Sequence, residues 1–540
     1  MSLIASWLPL LAPAALAGVA IASGRQFPDP AFVAARARDG AAFALAVAAV
    51  TLAVVLAVGP IDTATIGIGG AGASLYLDAV SAVMFLLVSF IGLVVIAYSR
   101  NYLGGDPGQI RFMRWMCATL AAVLLLTMSG NVVLFAIAWI ATSLALHRLL
   151  VFYADRPQAV LAARKKFIVS RLGDLSLVVA MVLLFQAFGT FDFPDLFDAA
   201  LAVDPAAGIP LEVTLAGLFL VAAALFKSAQ FPLHGWLVEV METPTPVSAL
   251  LHAGIINAGG FLIIRFADVM QLSVASMNVL AIVAGFTALF GSVAMLTQTS
   301  IKVSLAMSTV AQMGFMLLQC GLGAFSAALV HIVAHSLYKA HAFLSSGSVV
   351  DLARSAFHPD AAPVPTGRLA AALAASVALT AVVGLAFGAS PVEAPGVFTL
   401  AAVLAMGLTL LLATALSVGA RSFVLARAAG LAVLVTVAYY ALQVGAERLF
   451  AGALPPVEPV RGVVDLLVVV LVVASFAAVT LLQTRIAKGD APPATEALWV
   501  HLSNGLYANA LFSRLVQRIW PVPSARRPAA MPADATPRGV

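Results

Sequence analysis

Apolar runs of about twenty residues recur along the whole chain, separated by short polar turns. That is the length an α-helix needs to cross the hydrocarbon core of a bilayer. The runs fall near 3–22, 41–59, 78–98, 113–129, 131–150, 167–188, 211–229, 247–267, 273–296, 301–321, 325–349, 367–389, 396–418, 425–444 and 462–483. They predict an all-α polytopic membrane protein with about 15 transmembrane helices, within a range of about 13–15. The first run lacks the basic start of a secretory signal and is read as a span. Residues 67–77 are too short to span and rich in Gly, with Ile and Tyr, so they predict an external hairpin. In 492–520, Leu498, Leu502, Leu506, Phe512, Leu515 and Ile519 recur at roughly helical spacing, with Asn509, Arg514 and Arg518 between them. An interfacial amphipathic helix fits, broken at Ser503-Asn504-Gly505. The tail from Pro521, rich in Pro, Ala and Arg, is expected to be disordered, and no separate soluble domain is evident.

Composition strengthens this picture. Of 540 residues, 62% are apolar and 10% charged, and the mean hydropathy is +1.05. The pI near 9.4 does not imply nucleic-acid binding, because the basic residues lie in short loops, where they orient a membrane protein. Arg25, Arg36 and Arg38 follow the first span, and Arg100, Arg111 and Arg114 the third. Arg156, Arg164, Lys165 and Lys166 follow the fifth, Arg354 and Arg368 the eleventh, and Arg421 the thirteenth. The loops after the second, fourth, sixth and tenth spans have no Lys or Arg. The sixth-span loop instead holds Asp192, Asp195, Asp198 and Asp204. The alternation predicts an outside N-terminus and an inside C-terminus, with Arg448 and Arg461 against it. Cys117 and Cys320 lie in apolar runs far apart, which suits small buried side chains better than a disulfide or a zinc knuckle.

Four polar groups interrupt the apolar runs. Lys227, His234, Glu239 and Glu242 precede Ser248 and His252, and Pro232, Pro244 and Pro246 forbid one continuous helix there. Charged groups beside a broken helix at membrane depth need protein interior or a wet cavity, which points to an ion path. The bland alternative is a snorkelling Lys227 beside a turn. His331, His335 and Lys339 stand at i, i+4 and i+8, one helical stripe suited to passing a proton through water. The alternatives are core histidines or a zinc site, the latter without an evident third ligand. Lys302 lies at an inner edge with Gln298 and Gln312, where snorkelling is nearly as good a reading as function. His147 and Arg148 end the fifth span, and Arg171 and Asp174 open the sixth as a structural ion pair. No nucleotide loop, cofactor fingerprint, iron–sulfur pattern or catalytic triad is present, so no chemical reaction is assigned to the chain itself.

Several motifs carry a resemblance. Lys-Ser-Ala-Gln-Phe-Pro-Leu-His-Gly-Trp-Leu (227–237), Pro-Thr-Pro-Val-Ser-Ala-Leu-Leu-His-Ala (244–253) and Gln-Thr-Ser-Ile-Lys (298–302) are three of them. Ser-Thr-Val-Ala-Gln-Met-Gly (308–314) and His-Ser-Leu-Tyr-Lys-Ala (335–340) complete the set. In this order they resemble the antiporter-like subunits of respiratory complex I and of Mrp cation/proton antiporters. The resemblance implies two inverted five-helix repeats, with the seventh and twelfth helices broken. It divides the chain into 1–112, the repeats 113–270 and 271–420, a C-terminal pair in 421–490, and 491–540. It also implies a polar axis through Lys227, His252, Lys302, His331, His335 and Lys339, supported by His147, Arg171, Asp174, His234, Glu239, Glu242 and Ser248.

Two positions depart from that pattern. Ile140, after Trp139, stands where the family has a glutamate, and the twelfth span has no lysine. These departures, and the ending Trp-Val-His-Leu-Ser-Asn-Gly-Leu-Tyr-Ala-Asn-Ala-Leu-Phe (499–512), resemble the DabB family. Its members are membrane subunits of two-part bacterial inorganic carbon transporters. That likeness implies a multi-pass inner-membrane protein with no cofactor of its own. It also implies a DabA-like partner, a zinc protein resembling a β-carbonic anhydrase, whose CO2 hydration is driven by cation flow. The alternative is a proton-translocating subunit of a complex I-like or Mrp complex.

Overall fold

The computed structural model describes residues 5–24, 29–347, 365–389, 395–417, 422–456, 462–486 and 493–521. Arg25, Arg354, Arg421, Arg461 and nearly all of the Pro-rich tail lie outside the described residues. The N-terminal part contributes α1 (Leu11–Ala22), α2 (Pro30–Val58), α3 (Ala79–Tyr102), α4 (Gln109–Met128), α5 (Val132–Leu150) and α6 (Pro157–Phe188). Then come α7 (Phe193–Leu201), α8 (Leu211–Lys227), α9 (Gly235–Glu239), α10 (Thr245–Ala253), α11 (Ala258–Arg265) and α12 (Ala267–Leu272). Next are α13 (Val274–Leu296), α14 (Ile301–Gly321), α15 (Phe325–Leu344), α16 (Thr366–Ala386) and α17 (Pro395–Ser417). The chain closes with α18 (Ser422–Phe450), α19 (Val463–Ile486), α20 (Pro493–Ser503) and α21 (Ala508–Ile519).

Among the described residues, twelve helices are long and apolar enough to cross a membrane, three fewer than the fifteen predicted spans. The three shortfalls have physical causes. The N-terminal apolar helix covers only Ser6–Ala22. Helix α8 stops after 17 residues at Lys227. Helix α15 carries His331, His335, Lys339 and His341, which lower its hydropathy.

Between α2 and α3 the chain makes the expected hairpin: Ile66–Ile68 pairs antiparallel with Ala71–Ala73. Gly69 and Gly70 turn it at φ +60° and +80°, the backbone region that glycine adopts without penalty. Ile61–Asp62 pairs with Tyr76–Leu77 beneath it. A buried ion pair anchors this end of the bundle. Arg265 Nη1 donates to Asp78 Oδ2 at 2.7 Å, and Asp78 Oδ1 caps α3 by accepting from Ser81 N at 2.8 Å.

The helix breaks position the polar groups. Helix α8 ends at Lys227, and non-helical backbone follows, with Ala229 at φ +50°. Such a conformation in a non-glycine residue is held only by its surroundings. Ser228 Oγ, donating to Ile256 O at 2.9 Å, ties this break to a second one at Gly254, between α10 and α11. The break expected in the twelfth span is a correction. Helix α16 runs uninterrupted from Thr366 to Ala386, in a segment with no proline inside it and no charge after Arg368. Helices α13 and α14 are in close contact. A Cβ on Gly291 would lie 2.6 Å from Ala311 N, and one on Gly314 2.5 Å from Ala288 N. Small residues let membrane helices approach this closely.

Candidate ion path

The structure buries four lysines, Lys165, Lys166, Lys227 and Lys339, and the first two of them were expected in a loop. Helix α6 begins at Pro157, ten residues before the predicted span, so Lys165 and Lys166 lie within it. Both are buried. They are therefore not the free loop charges that the orientation argument used, which is a second correction.

Around Lys227, helices α5, α6, α8, α9 and α10 and the α10–α11 junction line a cavity of about 10 Å3, roughly the space one water needs. Ser143, Lys166, Ser170, Lys227, Trp236 and Ile256 are among its walls. Lys227 Nζ donates to Trp139 O at 3.4 Å and lies 4.1 Å from the centre of the Trp139 ring. Lys166 Nζ donates to Ser143 O at 2.8 Å and to Ser143 Oγ at 2.9 Å. Arg171 Nη2 donates to the same Ser143 Oγ at 3.2 Å and holds Asp174 at 2.6 Å. His147 packs on Phe167, with ring centres 5.3 Å apart.

A second polar cluster is built on α14. Its Thr309 Oγ1 lies 3.0 Å from His252 Nδ1. One residue earlier, Ser308 accepts from Lys339, which also donates to Leu305 O at 2.9 Å. Ser308 and Thr309 thus join His252 on α10 to Lys339 on α15. The His252 ring stacks on Phe343 at 4.4 Å, and Asn257 Nδ2 donates to Ser336 Oγ at 2.9 Å. His335 and His331 continue the stripe with ring centres 6.0 Å apart, and His331 Nδ1 lies 2.9 Å from Gln319 Oε1. His252 Nε2 and His335 Nε2 are buried without a hydrogen-bond partner. Buried polar atoms are normally satisfied by a protein group, a water or an ion. Ser248 is buried one turn before His252.

Lys302 is only half-buried, and its Nζ donates to Thr245 Oγ1 at 3.4 Å, at the start of α10. Three more of the expected supporting residues, Glu242, His234 and Glu239, have other neighbours. Glu242 is half-exposed beside Arg156 at 3.7 Å. His234 is buried between Phe231 and Phe290, with neither ring nitrogen partnered. Glu239 is held by Lys165 at 2.7 Å and by Asn509 Nδ2 at 2.8 Å. Asn509 Oδ1 also accepts from Lys165 Nζ at 2.9 Å, so the C-terminal helix α21 is fastened to the broken helix. The chain between α20 and α21 turns at Leu506 and Tyr507, beside the expected Ser503-Asn504-Gly505 break.

Sequence reading missed Lys165, Lys166, Ser143, Thr309, Ser308 and Asn509. The signal for the two lysines was Pro157, a residue favoured in the first helical turn, which starts α6 early enough to include them. Among the described residues no group of three or more His, Cys, Asp or Glu is arranged to hold a metal ion.

Comparison with known proteins adds a family. Residues 129–427 match the family described as NADH:quinone oxidoreductase/Mrp antiporter, and 66–113 match the N-terminal part of complex I chain 5. A probable inorganic carbon transporter subunit, DabB2 of Halothiobacillus neapolitanus, is 40% identical over 86% of this chain and 83% of its own length. The probable DabB of Hydrogenovibrio crunogenus is 47% identical over 50% of this chain and 52% of its own. A chain of an archaeal respiratory membrane complex, the membrane-bound sulfane sulfur reductase, shares the fold. It has a TM-score of 0.60 at 18% identity, over 95% of this chain and 94% of that one.

Proposed function

The chain belongs to the NADH:quinone oxidoreductase/Mrp antiporter family, alongside the DabB inorganic carbon transporter subunits, and on that premise we propose that it conducts a cation, the proton, to drive inorganic carbon accumulation. The observation that carries this reading is the set of buried amines and imidazoles Lys227, His252, Lys339 and His335, continued by the partly buried His331. Each such group in hydrocarbon is costly unless it lines a hydrated interior, and together they offer successive proton acceptors. Each charge falling through 100 mV releases roughly 2.3 kcal/mol, which can bias a partner's chemistry. The partner is a DabA-like zinc protein that hydrates CO2 to bicarbonate. Zinc belongs to it, and this chain is a transporter subunit, not an enzyme. The complex sits in the bacterial inner membrane among lipid, with this chain's N-terminus periplasmic and its C-terminus cytoplasmic.

The frame proposed for this path is the pair of antiporter-like repeats, 113–270 and 271–420. A second reading, a proton-translocating subunit of a complex I-like or Mrp complex, is favoured by the fold. It is opposed by Ile140 and by the lysine-free α16. Lys339→Ala separates function from scaffold. It is expected to abolish growth in air of a host that depends on this chain and its partner, while leaving the complex assembled. Normal growth in air would overturn the reading. Purification with a zinc protein, and without flavin or iron–sulfur proteins, is expected in the same preparation.

A further inference from the structure

Lys227 has no carboxylate within 4.0 Å among the described residues. The position after Trp139 that would supply one is Ile140. A second amine faces the same water-sized cavity instead. Lys166 is 3% exposed and is held by Ser143, one turn beyond the Trp139 carbonyl that accepts from Lys227.

We propose that Lys166 and Lys227 form a two-amine proton relay, with Lys166 as the inlet group that hands its proton to Lys227 through one water between them. This rests on the proton-conducting reading above.

The surrounding groups support the assignment. Arg171 and Asp174 neutralise each other at 2.6 Å, and Lys165 is taken by Glu239. His147 lies off the cavity, on Phe167. The other walls are Ser143, Ser170, Trp236 and apolar side chains, Leu251 and Ile256 among them. Two ammonium groups in one such cavity repel, so the pair is best satisfied by one proton. The transfer balances. Lys166 ammonium gives a proton to the water while that water gives one to the neutral Lys227 amine. Lys166 is left neutral and is refilled from the aqueous phase, and Lys227 passes its proton onward. Ser143, with a carbonyl and a hydroxyl on the Lys166 amine, holds it in place in either state.

The test uses the full chain, purified with its partner and reconstituted in vesicles, at equal amounts of intact complex. Dissipation of an imposed pH gradient is read with a trapped dye. Lys166→Gln keeps a hydrogen-bond donor for Ser143 but cannot carry the proton. Lys166→Arg keeps both charge and donors but does not release a proton. A merely structural lysine is replaced well by arginine, whereas a relay is not. Both variants are expected to lose at least about tenfold in proton flux. Wild-type flux in either variant would overturn the relay. Absence of flux in the unmodified complex would overturn the proton-conducting reading itself, a separate outcome.

Discussion

Gly235 opens α9 at the point where the C-terminal helix touches the broken span, and it has no room for a side chain. A Cβ there would lie 1.9 Å from Asn509 Oδ1, 2.3 Å from its Cγ and 2.7 Å from its Cβ. Gly235→Ala must therefore turn Asn509 away and break two bonds at once, from Lys165 Nζ at 2.9 Å and to Glu239 Oε1 at 2.8 Å. Hydrogen bonds to charged groups contribute about 1.5–3 kcal/mol each. The Glu239 side chain is 24% exposed, so the lower figure applies, about 3 kcal/mol for the two. At 1.4 kcal/mol per decade this raises the undocked population of α21 about a hundredfold. Hydrogen exchange of the intact complex in lipid nanodiscs reads that population directly, and backbone amides across Ala508–Ile519 are expected to exchange about a hundredfold faster. Asn509→Gly removes both the bonds and the obstructing atoms. Gly235→Ala added to it is expected to cost no more than about 0.5 kcal/mol further, because the two residues share one contact. Unchanged exchange in Gly235→Ala would refute the reasoning, as would full additivity in the double variant.

Two further outcomes follow from the geometry. Arg265→Met leaves the Asp78 carboxylate buried and unpaired and is expected to cost about 3–5 kcal/mol, read by thermal unfolding in detergent. Arg265→Met with Asp78→Leu should recover part of that loss, and a double variant less stable than Arg265→Met alone would contradict it. Glu242→Gln removes only a half-exposed pair with Arg156 and is expected to change stability by less than about 1 kcal/mol and to leave carbon accumulation intact. Loss of accumulation in that variant would place Glu242 on the path after all.

The sequence carried most of the bundle because a bilayer imposes both length and hydropathy on every span. Lys227, His252, His335 and Lys339 were legible for the same reason: each stands in a run where lipid alone would not tolerate it. The break after Lys227 was legible from its prolines. The break at Gly254 was not, since no proline marks it and the bond beside it, from Ser228 to Ile256 O, joins residues 28 apart in sequence. The break assigned to the twelfth span came from likeness, and its own residues supply no cause for one. Asn509 was visible as a polar position on an amphipathic helix, but nothing local could show that its partners are 270 and 344 residues away.

Lys165 and Lys166 show why a charge in sequence is ambiguous near a span's end. In a loop, adjacent lysines set orientation; in a helix they point about 100° apart and serve different neighbours. Here Lys165 faces Glu239 and Asn509 at the broken span, while Lys166 faces Ser143 and the Lys227 cavity. One residue of offset thus separates a lysine that is paired to a carboxylate from one that is not. The paired lysine has a fixed charge to balance and can act as a structural tie. The unpaired one shares a cavity with Lys227 and, among the described residues, donates to the carbonyl and hydroxyl of Ser143, so its proton is the one the proposed relay moves. With Ile140 after Trp139 and Lys166 on α6, the proposed relay has an amine as its inlet group and no carboxylate beside Trp139.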